Sequence, residues 1–236
     1  MLAPMNTVDR PQGMRTSEVR VICDLIKARR LSKLLEVGMA NGSSSVAMLR
    51  TLSENGEGSL TSIDPYQFAP VGSVKNDNDD GYFGEGVANV ERSGFAHMHT
   101  LMAEPDYTAL PRLVERGEKF DFVFVDGYHS FDFAFVDFFF ADLLLSVGGV
   151  IAFHDSSYPA VYKVCRFIAG NKEYRLIGPR PEPMHASVIR KLLRHGGYWL
   201  SGENAEFRQR RLVWCSVAAF EKVGDSQCKQ CSVRDF

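Results

Sequence analysis

An α/β fold is the expectation for this chain: a three-layer sandwich in which helices cover both faces of a mostly parallel, seven-stranded sheet. Three observations predict it. Short apolar runs alternate with longer stretches at helical spacing along the 236 residues. A turn containing Gly38 and Gly42 follows the first apolar run, where a strand would hand over to a helix. Phe120–Val125 (FDFVFV) is apolar almost throughout, as suits a central strand buried on both faces.

The elements follow in order. Residues 16–29 place Val19, Ile22, Cys23, Leu25 and Ile26 on one helical face. Lys33–Val37 reads as a buried strand, Gly42–Leu52 as a helix and Ser59–Ile63 as a second strand. After an irregular stretch come a helix near Gly86–Arg92, a strand at His99–Ala103 and a helix near Tyr107–Glu115. Phe131–Leu145 is a phenylalanine-rich helix whose aspartates suit a packed core better than a membrane. Val150–Phe153 is the next strand, Ala160–Ala169 the next helix, and Tyr174–Ile177 and Leu212–Phe220 the last strands. No repeat and no low-complexity linker divides the chain, so residues 1–236 read as one domain with an insertion at about 179–211.

Composition excludes several function classes. The 27 basic and 29 acidic side chains nearly cancel, leaving a formal charge of −2, whereas a chain that coats nucleic acid or anionic lipid needs a net basic face. The longest uncharged apolar run, Leu143–Phe153, contains glycines and falls well short of the ~20 residues of a membrane span. No basic start leads into an apolar secretory leader, so a cytoplasmic protein is expected. Of the five cysteines, Cys23, Cys165 and Cys215 sit in apolar runs and suit a reducing compartment. Cys228 and Cys231 form a C-x-x-C without the second ligand pair that a zinc knuckle requires.

The most informative segment is Leu34–Ser45, LLEVGMANGSSS. Its spacing is E-x-G-x-x-x-G rather than the G-x-G-x-x-G of dinucleotide folds. Gly38 lets a ligand approach bare backbone, and Ser43 or Ser44 can cap the helix that begins after Gly42. A pyrophosphate prefers a helix start free of carboxylate. Glu36 instead favours a sulfonium ligand with an amino acid tail. Asp64 ends the second strand, where an acid can accept both hydroxyls of a ribose. Together these residues specify an adenosine-type ligand without a phosphate site.

Residues 120–155 add F-V-D-G-Y-H and L-L-S-V-G-G-V-I-A-F-H-D. With the E-x-G-x-x-x-G-x-S loop and the strand-end Asp64, they resemble a class I S-adenosylmethionine-dependent methyltransferase. The narrower likeness, over roughly residues 16–170, is to the small-molecule branch of catechol, caffeoyl-CoA and macrocin O-methyltransferases. The resemblance implies a Rossmann-like fold and assigns roles. Glu36, Gly38, Gly42 and Ser44 match the loop that holds the methionine portion of the cofactor, Asp64 the ribose acceptor, and Tyr128 an aromatic ring near the adenine. Asp126, His154 and Asp155 match a divalent-cation site for Mg²⁺ or Mn²⁺, and His129 the catalytic base of the macrocin type. Asp126 and the His154–Asp155 pair follow two successive buried strands, whose ends lie ~5 Å apart if adjacent. His154 departs from the pattern, since relatives mostly carry an acid there. Three readings stay open: a ligand to a softer metal, a side chain pointing away while Asp126 and Asp155 bind Mg²⁺, or a metal-free pair of bases with His129. The implied activity is methylation of a hydroxyl on a small molecule of sugar or natural-product type.

Two features carry less. Lys75–Glu85 resembles a calcium loop, but Val87 stands where its bidentate Glu is required. Pro179–Arg211 holds seven Lys/Arg against three Glu. It reads as a solvated helix near Ala186–His195, or as the subunit contact of a homodimer, more readily than as a pocket for an acidic substrate.

Overall fold

In the structure, a computed structural model that describes residues 14–68, 82–178 and 216–225, helices and strands alternate as the sequence patterns require. The order is α1 (Thr16–Arg29), β1 (Lys33–Val37), α2 (Ser43–Asn55), β2 (Ser59–Ile63), α3 (Glu85–Arg92), β3 (His99–Met102) and α4 (Asp106–Glu115). Then follow β4 (Phe120–Val125), α5 (Phe131–Leu144), β5 (Leu145–Phe153), α6 (Pro159–Asn171), β6 (Tyr174–Leu176) and β7 (Ala218–Lys222). The seven strands form one sheet in the order β3-β2-β1-β4-β5-β7-β6. Only β7 runs antiparallel, against both β5 and β6.

Period-two alternation sends neighbouring residues of each strand into different cores. Leu35, Val123, Val125, Ile151 and Phe153 pack with Leu110 of α4, Phe138 of α5 and Val164 of α6. Leu34, Phe122, Phe124, Val150 and Ala152 pack with Ile22 and Ile26 of α1, Met48 and Leu49 of α2 and Val90 of α3. The result is the three-layer sandwich. α5 is a core helix, with Phe135 and Phe138 edge-on to Phe167 of α6 at centroid distances of 5.1 and 6.2 Å.

Some boundaries differ from the sequence reading. β5 begins at Leu145 rather than Val150: Leu145 already pairs with Phe120, and a register shift before Val150 pairs with Phe122 takes up the glycine-bearing residues between them. β7 reaches Lys222, beyond the expected end at Phe220, while residues 212–215 lie outside the described residues. The 179–211 insertion, Cys215, Cys228, Cys231 and residues 75–81 of the pseudo-calcium loop also lie outside them. No helix among the described residues is long and apolar enough to cross a membrane.

Candidate active site

The carboxyl ends of β2, β1, β4 and β5 form the platform, as ligand sites of open α/β sheets do. Ladder hydrogen bonds continue one residue past the strands. Gly38 N–H donates to Ile63 O, Asp126 N–H to Val37 O and His154 N–H to Val125 O, at 2.8–3.0 Å. Gly38, Asp126 and His154 therefore stand side by side at three adjacent strand ends. Gly38 has φ +88°, and a Cβ there would lie 2.2 Å from Asp126 O, so only glycine lets the β1 loop lie against the end of β4.

Glu36 lies beneath that loop rather than on its surface. It is fully buried, and its carboxylate accepts hydrogen bonds from the hydroxyls of Ser44, Ser45 and Ser62 at 2.5–2.6 Å. Burial nonetheless pushes its pKa up to about 7 despite those three donors. Asp64 faces the same loop. Its Oδ2 accepts N–H bonds from Met39 (3.1 Å) and Ala40 (2.7 Å), and its Oδ1 accepts that of Tyr66 (2.8 Å). Gly42 abuts α3, where a Cβ would come within 2.8 Å of Gly86 O. Asn89 Nδ2 ties α3 to Asn41 O at 2.7 Å. Tyr128 is exposed and edge-on to Phe133, which also meets Tyr107.

Asp126, His129, His154 and Asp155 converge, each offering one ligand atom within 4.8 Å of the others. His154 does not point away. Its Nδ1 lies 2.8 Å from Asp126 Oδ1 and 3.6 Å from Asp155 Oδ2. His129 Nε2 is 3.5 Å from an oxygen of each aspartate, buried and without a hydrogen-bond partner among the described residues. Asp155 has φ +47°, a left-handed conformation that is costly for a non-glycine residue and accompanies functional sites. Ser216 Oγ–H approaches its Oδ1 at 3.4 Å.

Glu18 belongs to no motif of the sequence. This buried side chain of α1 sits 3.2 Å from His154 Nε2, so the imidazole lies between two carboxylates. Burial opposes charge on His154, but its bonds to Asp126 and Glu18 prevail and raise its pKa to about 10. Burial also opposes charge on Glu18. The bond from His154, with the backbone N–H groups of Arg15 and Ser216, outweighs it and lowers the pKa to about 2. Asp126 is held below its ordinary range against burial by His129 and His154.

Comparison with known proteins decides the family. The chain matches the family described as Methyltransferase domain over residues 35–156, just over half its length. The chain belongs to that family. No curated protein matches this methyltransferase in sequence. Among solved structures it is similar to the O-methyltransferase TomG from Streptomyces achromogenes, involved in tomaymycin synthesis and solved with S-adenosylmethionine. Identity is 22%, over 70% of this chain and 73% of that one, with a TM-score of 0.55. It is also similar to an O-methyltransferase from Bacillus cereus solved with S-adenosylhomocysteine, at 18% identity, 71% and 76% coverage and a TM-score of 0.56. The class I methyltransferase resemblance drawn from the sequence thus holds for family and fold.

Proposed function

We propose that this methyltransferase transfers a methyl group from S-adenosylmethionine to a hydroxyl of a small molecule, with a divalent cation at the strand-end cluster and His129 as general base. The observation that carries the reading is the placement of that cluster directly beside the glycine loop, Gly38 against Asp126. The two O-methyltransferase neighbours support oxygen as the acceptor atom. A sugar or natural-product hydroxyl is the acceptor class.

The loop backbone from Gly38 to Gly42 cradles the methionine portion, with Glu36 and Ser44 bracing it from below. Asp64 Oδ1, with Tyr66 N–H as a partner, keeps a lone pair for a ribose hydroxyl. Tyr128 supplies an exposed ring for the adenine. S-adenosylmethionine, when bound, supplies a methyl on a sulfonium that is a good leaving group.

The cluster fits a cation. Ligand bonds of ~2.1 Å set neighbouring donors ~3–4 Å apart, in keeping with Nδ1 of His154 lying 2.8 Å from Asp126 Oδ1 and 3.6 Å from Asp155 Oδ2. Asp126, Asp155 and Nδ1 of His154 would hold it, and the imidazole suits Mn²⁺ better than Mg²⁺. A bound cation lowers the pKa of a substrate hydroxyl. His129 Nε2 takes the hydroxyl proton, and Asp126 and Asp155, each 3.5 Å away, stabilise the imidazolium that results. Orienting the oxygen in line with the methyl contributes the rest.

The test is to incubate the protein with methyl-labelled S-adenosylmethionine and a panel of hydroxylated sugars and phenols. Label should appear on an oxygen, and His129→Ala should lower the rate by ~10²–10⁴-fold while affinity for S-adenosylhomocysteine persists. Label on nitrogen, or full activity in His129→Ala, overturns the assignment.

A further inference from the structure

His154 is unusual in that both ring nitrogens face carboxylates from distant parts of the chain. Nδ1 meets Asp126 Oδ1 at 2.8 Å, while Nε2 meets Glu18 Oε2 at 3.2 Å. Glu18 is itself fixed. Arg15 N–H donates to its Oε2 at 2.9 Å in the capping box of α1, and Ser216 N–H donates to its Oε1 at 3.1 Å, just before β7. Two backbone donors from separate elements therefore hold the carboxylate that faces the imidazole, and its side chain is only 4% exposed.

An imidazole that binds a cation through one nitrogen almost always gives its other N–H to a carboxylate, a carbonyl or water, which fixes the tautomer and the ring plane. We propose that Glu18 is a positioning residue of the cluster: by accepting the Nε2–H of His154 it aims Nδ1 between Asp126 and Asp155 as a cation ligand, the Nδ1 proton leaving to solvent when the cation binds. The inference rests on reading the cluster as a cation site. It makes the first turn of α1 a part of that site, although no residue before Glu36 figures in the motifs.

Calorimetric titration of Mn²⁺ into the metal-free full chain tests it. Wild type should bind saturably and Asp126→Asn should not; absence of binding in wild type overturns the cation reading itself, and the inference with it. Glu18→Gln, close in shape, should weaken Mn²⁺ binding by about 10- to 100-fold. In a His154→Ala background the same change should have no further effect. Wild-type affinity in Glu18→Gln, or an equal loss in both backgrounds, reduces Glu18 to a structural role and overturns the inference. A readout that needs no variant is the long-range ¹H–¹⁵N spectrum of the wild-type chain with Zn²⁺. His154 should show a protonated Nε2 and a metal-shifted Nδ1; the opposite tautomer contradicts the proposal.

Discussion

Asp137 shows how one residue can be costly and still be retained. It projects from α5 into the core, fully buried, and neither carboxylate oxygen has a hydrogen-bond partner among the described residues. Burial raises its pKa well above the ordinary range, and the nearby Asp106 adds to the shift. A carboxyl whose folded pKa is raised binds a proton in the folded state that the unfolded chain has lost. Its contribution is therefore complete below the unfolded value near 3.8 and is lost as pH rises through the folded value. Asp137→Asn should flatten that decline, raising stability by about 1–3 kcal/mol at neutral pH and changing little near pH 3. Urea unfolding across pH checks this; equal midpoints for variant and wild type at neutral pH would contradict it. Residues of this kind are illegible in sequence, because an Asp on a helix ordinarily reads as solvent-facing. Glu18 escaped for a related reason. Its partner His154 is 136 positions away, and nothing local marks the pairing.

Elements were more legible, because periodicity is a local signal and parallel strands have little freedom. Once Lys33–Val37, Phe120–Val125 and Val150–Phe153 are read as buried strands, pairing them places Asp126 and His154–Asp155 at adjacent ends. The structure bears that out. What the pattern did not show is the approach of α3 to the glycine loop. That contact is backbone to backbone: a Cβ on Gly86 would come within 2.6 Å of Ala40 O. Gly86→Ala should shift the loop, lower stability by ~1–3 kcal/mol and weaken S-adenosylhomocysteine binding. Undisturbed affinity and Tm would show that α3 yields freely and is no part of the loop's support. The same packing explains Asp64, which sequence alone presents only as a ribose acceptor. Here it also holds two loop amides, so a substitution there perturbs the loop as well as any ribose contact.

At the scale of the whole molecule, the sheet divides the labour. One half, β1 with β2, carries the loop braced from beneath by the buried Glu36 and from the side by Asp64. The other half, β4 with β5, carries the imidazole–carboxylate cluster, and Gly38 joins the two where only hydrogen fits. That loop should recognise an S-adenosyl nucleoside and no dinucleotide. The most direct measurement is calorimetric titration of S-adenosylhomocysteine into the wild-type chain, with NAD⁺ in a parallel cell. Saturable one-to-one binding of the homocysteine compound, and none of NAD⁺, is the result predicted. No binding of S-adenosylhomocysteine, or saturable binding of NAD⁺ in its place, would contradict the account.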